Sequence, residues 1–66
     1  MRKGTVNWFN AAKGFGFITD EESGRDLFVQ RSGIAAASGA LEAGQIVTFE
    51  IEESEKGPQA VNVRAV

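Results

Sequence analysis

Lys13-Gly14-Phe15-Gly16-Phe17-Ile18 carries a two-residue alternation that suits an extended strand. Phe15 and Phe17 share one face of such a strand. Gly14, Gly16 and Ile18 share the other. Ile18 already gives the second face something to bury, so the two rings are free to face solvent. With glycine between them the aromatic face reads as flat and open, and Lys13 stands at its edge. A face of this kind is a stacking platform. Every base has a π-face, so bases stack on it with little regard to their order.

The chain has 66 residues, which makes one small domain. A chain of this size buries only about 60% of its unfolded surface, and its core rarely supplies more than ~3–5 kcal/mol. It contains no cysteine and no histidine, which excludes disulfides and a zinc site of the usual Cys/His kind. Without such staples, closing a β-sheet on itself is a good way to remove free edges. The formal net charge is −2, which argues against a generally basic nucleic-acid binder. The charges are nevertheless segregated. Arg2, Lys3 and Lys13 precede every acid, and the acids gather at Asp20-Glu21-Glu22 and at Glu50, Glu52, Glu53 and Glu55. The second acidic group reads as a solvated face turned away from an anionic ligand. No apolar run approaches the ~20 residues of a membrane span, and Arg2-Lys3 is not followed by a signal-peptide pattern. The expectation is a soluble cytoplasmic protein with no membrane partner and no metal or other cofactor.

Taken in order, residues 3–10 read as a first strand. Val6 and Trp8 share one parity, and Thr5, Asn7 and Phe9 the other. Both faces therefore carry an aromatic, and only a bulge or a strong twist resolves which is inside. Residues 14–19 form the second strand. Asp20 to Arg25 has the composition of a turn, with Gly24 free to take positive φ. Asp26 to Gln30 is the third strand, with Leu27 and Val29 inward and Phe28 and Gln30 outward. An antiparallel hairpin of the second and third strands places Phe28 beside Phe15 and Phe17. Residues 31–44 read as a long loop with one short helical turn, Ser32 as its N-cap. Ala35-Ala36-Ala37 favours helix until Ser38-Gly39 interrupts it, and Ile34 and Leu41 pin the loop to the core. Gln45 to Glu53 is the fourth strand, with Val47, Phe49 and Ile51 inward. After a turn at Ser54-Glu55-Lys56-Gly57, Gln59 to Val66 is the fifth, with Val61 and Val63 inward. Five short strands and no substantial helix predict an all-β fold, a five-stranded antiparallel Greek-key barrel.

These residues match a known pattern. Lys13-Gly14-Phe15-Gly16-Phe17-Ile18 resembles the first ribonucleoprotein motif of the bacterial cold-shock proteins, and Asp26-Leu27-Phe28-Val29-Gln30 resembles the second. Gly4-Thr5-Val6-Asn7-Trp8-Phe9-Asn10, Leu41-Glu42-Ala43-Gly44-Gln45 and Gly57-Pro58-Gln59-Ala60-Val61-Asn62-Val63 look like further landmarks of that family. The resemblance covers residues 1–66 as a single cold-shock domain. It implies a barrel of the OB type that binds single-stranded RNA and DNA and works as an RNA chaperone or transcription anti-terminator. It implies stacking by Trp8, Phe15, Phe17 and Phe28, with Trp8 on the binding face and Val6 in the core. It also implies a phosphate contact by Lys13 and rim contacts by Lys56 and Gln59. The chain departs from the family's pattern in four places. Gln30 and Arg31 stand where a histidine and an aromatic are common, Asn7 where a lysine is usual, and no aromatic lies near Ser38 and Gly39. Gln30 can still hydrogen-bond a base edge, and Arg31 can stack on a base or pair with phosphate.

Other chemistries find little support. Gly14-Phe15-Gly16 lacks the third glycine of a dinucleotide fingerprint, since Thr19 stands there and no helix follows. There is no P-loop, no histidine for a catalytic triad, and carboxylate neighbours such as Glu52-Glu53 lie on a solvated strand end. The chain reads as a binding protein and not an enzyme. The rival reading is a small barrel that serves protein interaction, favoured by the missing aromatics and the negative net charge. The expected state is a monomer, with a strand-exchanged dimer through the long loop as the alternative.

Overall fold

One extra residue in the first strand settles the ambiguity that alternation leaves open. In the computed structural model, which describes residues 2–35, 40–55 and 57–66, strand β1 runs Arg2–Asn10 and pairs antiparallel with β2, Phe15–Asp20. Val6 opposes Ile18, Trp8 opposes Phe17, and the register shifts between them. Asn7 is the bulge. Inserting one residue flips the parity beyond it, so Val6 points inward and Trp8, two positions later, points out. Phe9 then turns back and packs half-buried against the core.

Strand β3, Asp26–Gln30, forms the expected hairpin with β2, and Gly24 in the turn takes φ +72°. Strand β4, Ile46–Ser54, pairs with the start of β1 and with β5, Gly57–Ala65. The order β1-β2-β3-β5-β4 closes into a barrel. Among the described residues one seam departs from the antiparallel expectation: β3 and β5 run parallel through Phe28–Gln59 and Val29–Ala60. The core is filled by Val6, Ile18, Leu27, Val29, Val47, Phe49, Ala60 and Val63, with Ile34 and Leu41 pinning the long loop as expected. No described helix is long and apolar enough to cross a membrane.

Four local expectations need correction. Ile51 is 40% exposed. β1 covers β4 only from Ile46 to Phe49, so beyond Phe49 β4 is an edge strand that pairs with β5 alone. Val61 is only half-buried, whereas Ala60 and Val63 are buried. Asn62 adopts φ +53°, the β4–β5 register shifts there, and the inward parity moves with it. The single turn after β3 is a 3₁₀ turn, Arg31–Gly33, preceded by Gln30, so Ser32 lies inside it and caps nothing. Finally, Gly16 does not serve openness between the rings. It is buried against β1, where an added Cβ would overlap the Trp8 carbonyl oxygen and sit 2.7 Å from Phe9 Cα. The alanine run read as helix-favouring lies, apart from Ala35, outside the described residues.

The turn between β2 and β3 is built on a buried acid. Asp20 is 1% exposed. Its carboxylate accepts from Arg2 Nε at 2.8 Å, the Glu22 amide at 3.0 Å and Ser23 Oγ at 3.2 Å. Arg2 Nη2 completes the ion pair at 2.7 Å. Burial pushes the carboxyl pKa up, but the Glu22 amide, the Arg2 guanidinium and the Ser23 hydroxyl outweigh it and hold the pKa below the usual carboxylate value. A depressed folded pKa adds stability above the unfolded value of about 3.9, and this is lost as pH falls through the folded pKa. Melting temperature should therefore be flat above about pH 5 and drop below about 4. Asp20→Asn should melt lower than the parent at pH 7 and show a flatter acid limb. Parallel acid limbs would remove Asp20 from this role.

Candidate nucleic-acid interface

The outward residues of three neighbouring strands converge on one patch. β2 alternates, with Gly16 and Ile18 buried and Phe15 and Phe17 on the outer wall, and β3 does the same with Leu27 and Val29 inside and Phe28 and Gln30 outside. The bulge at Asn7 brings Trp8 onto that wall from β1. Trp8 lies 5.5 Å from Phe15 and 5.6 Å from Phe17, centroid to centroid. Phe28 lies 5.8 Å from Phe15 and 5.7 Å from Phe17. The four rings thus form a closed cycle at distances normal for aromatic pairs. Trp8 is 40% exposed, and the three phenylalanines are half-buried. The rings prop one another, so their faces stay in place without sinking into the interior.

The patch has a cationic end. The loop from Asn10 to Gly14 is tightened by Gly14 N–H donating to Asn10 O at 2.7 Å and Lys13 N–H donating to Asn10 Oδ1 at 3.1 Å. Gly14 takes φ +78°, a conformation that costs glycine little. This places exposed Lys13 beside Phe15. A groove of about 550 Å³ opens there, lined by Lys13, Phe15, Phe28, Gln30, Arg31 and Ser32. Gln30 opposes Phe15 in register. Gln59 opposes Phe28 across the parallel seam and so flanks the rings. Lys56 lies outside the described residues, as do Ser38 and Gly39.

The opposite end is anionic. Thr19 and Asp26 continue the outward parity of β2 and β3, and Thr19 Oγ1 donates to Asp26 Oδ1 at 2.8 Å. Sequence reasoning passed over this pair, although counting on by two from Phe17 and back by two from Phe28 reaches it. It also passed over Ser32, which only the 3₁₀ turn brings to the groove. Arg31 also reaches the loop between β1 and β2. Its Nη2 donates to the Ala11 carbonyl, so the side chain folds onto the protein's own loop.

A small closed barrel of five strands, with its aromatic side chains on the outer wall of β1–β3, defines a barrel of the OB type. Residues 2–66 match the family model described as the 'Cold-shock' DNA-binding domain. The chain belongs to this nucleic-acid-binding family. It is 53% identical over 64 residues to the major cold shock protein of Streptococcus pyogenes serotype M6, covering 96% of this chain and 94% of that one. It is 56% identical over 64 residues to cold shock protein 1 of Lactiplantibacillus plantarum, covering 96% of each. Cold shock protein ScoF of Streptomyces coelicolor is 50% identical, again with 96% of each chain covered.

Proposed function

We propose that this protein binds single-stranded RNA and DNA by stacking unpaired bases on Trp8, Phe15, Phe17 and Phe28, and that it acts as an RNA chaperone or transcription anti-terminator. The observation that carries this reading is the ring cycle. Four large apolar side chains stand on an outer wall although the interior is filled by other residues. Lys13 contacts backbone phosphate, Gln30 hydrogen-bonds a base edge in the groove, and Gln59 and Lys56 form the rim. The protein works as a cytoplasmic monomer.

Each base–aromatic contact is worth ~1–3 kcal/mol, so four give at most on the order of 10 kcal/mol gross. Association returns a comparable share as lost freedom, which leaves affinity in the micromolar range or somewhat tighter. Stacking competes with base pairing. The protein therefore holds a strand unpaired and lets it re-pair elsewhere, with no nucleotide hydrolysis.

Trp8 is the only tryptophan in the chain, so its fluorescence reports the face directly. Titration with a pyrimidine-rich heptamer should quench it, and the matching duplex should not. About three phosphate contacts at roughly −0.7 each give a log–log salt slope of about −2. A slope steeper than about −5 would mean that charge and not stacking dominates. No response to either ligand would favour the protein-interaction reading, to which the glutamine and arginine at positions 30 and 31 lend some weight.

A further inference from the structure

We propose that Arg31 is a positioning residue. It straps the loop between β1 and β2 and thereby sets Lys13 at the edge of the aromatic face, and its own guanidinium carries no phosphate. The inference rests on the stacking reading above.

The loop has little of its own to hold it. Ala11, Ala12 and Lys13 are exposed and bury no side chain. Among the described residues its internal ties come from Asn10, through the Gly14 and Lys13 amides. Arg31 adds two more. Its backbone N–H donates to Gly14 O at 2.7 Å, and its Nη2 donates to Ala11 O. Between those two points the side chain lies over Gly14. A Cβ built on Gly14 would sit 3.5 Å from Arg31 Cβ and Nε and 3.6 Å from Cζ, in ordinary contact. Lys13 thus sits between two residues that one arginine holds.

This use of Arg31 competes with the role expected for it. A guanidinium lying on Gly14 and donating to the Ala11 carbonyl is not free to lie flat under a base, and leaving would release the loop that carries Lys13. The planar fork suits the strap, because it can rest on a backbone surface while one nitrogen reaches a carbonyl. Within the groove, Gln30 and Ser32 then remain to read a base edge.

Two measurements test this. The first needs no nucleic acid. Arg31→Met keeps a long unbranched stem and removes the donors and the charge. In the free protein it should speed hydrogen exchange of the Gly14 amide at least tenfold, with the Val29 amide in the core sheet unchanged. Unchanged exchange at Gly14 would overturn the strap. The second is a double-mutant cycle on heptamer affinity with Arg31→Met and Lys13→Met. Each single change should weaken binding about threefold to tenfold. Together they should be no more than twofold worse than Lys13→Met alone, and the salt slope should fall by about 0.7 in all three variants. Losses that multiply, with a slope reduced by about 1.4 in the double variant, would show that Arg31 itself meets phosphate. If the unaltered protein bound no single strand, the proposed function and the phosphate role would both fail, while the exchange result would still decide the strap.

Discussion

Phe49→Ala should leave this domain unfolded at 25 °C. Phe49 is 0% exposed and is the largest fully buried side chain. It sits where β4 is covered by β1 on one side and β5 on the other, opposite Arg2 in register. A Cβ on Gly4 would lie 2.9 Å from its ring, so the neighbouring backbone has closed down onto it. Truncating a buried phenylalanine costs about 3–5 kcal/mol, as much as a domain of this size usually has in total. Circular dichroism and Trp8 fluorescence should show no cooperative melt above room temperature. A variant that melted within a few degrees of the parent would mean that the interior is not organised around this ring.

Phe15→Ala should weaken single-strand binding at least tenfold and leave the fold standing. The ring loses its own base contact, about 1–3 kcal/mol or roughly fivefold to 150-fold. It also stops propping Trp8 and Phe28, its partners at 5.5 and 5.8 Å. Phe15 is half-buried on the outer wall and is not among the buried core residues, so the melting temperature should move little. Heptamer titration and a thermal melt on the same sample separate the two effects. Unchanged affinity would remove the ring cycle from the account of binding.

The hairpin of β2 and β3 could be read directly from the sequence, because both strands alternate without interruption and a glycine marks the turn. That places Phe15, Phe17, Phe28 and Gln30 on one wall. β1 could not be read that way. Val6 and Trp8 share a parity yet face opposite ways, and the cause is one unpaired residue, Asn7. The same limit explains the misses in β4 and β5. Ile51 alternates correctly with Phe49, but alternation does not say where the neighbouring strand stops. Val61 loses its place to Ala60 because Asn62 flips the parity at positive φ. Asp20 looked like one acid of a surface run, and only the fold brings Arg2 to it from 18 residues away. The chemistry of Arg31 suits a ligand, and the sequence does not show that the Ala11 carbonyl also lies within its reach.

The parallel seam between β3 and β5 has a dynamic consequence. It is held by two residue pairs, Phe28–Gln59 and Val29–Ala60, where the antiparallel neighbours run longer. Its partners are distant in the chain, whereas the three-strand meander before it is local, so this zipper should be the last to shut as the protein folds and the first to gape as it breathes. Phe28 and Gln59 stand on its two lips. A strand lying across both would act as a clasp, so that holding the ligand and keeping the cylinder shut become one event.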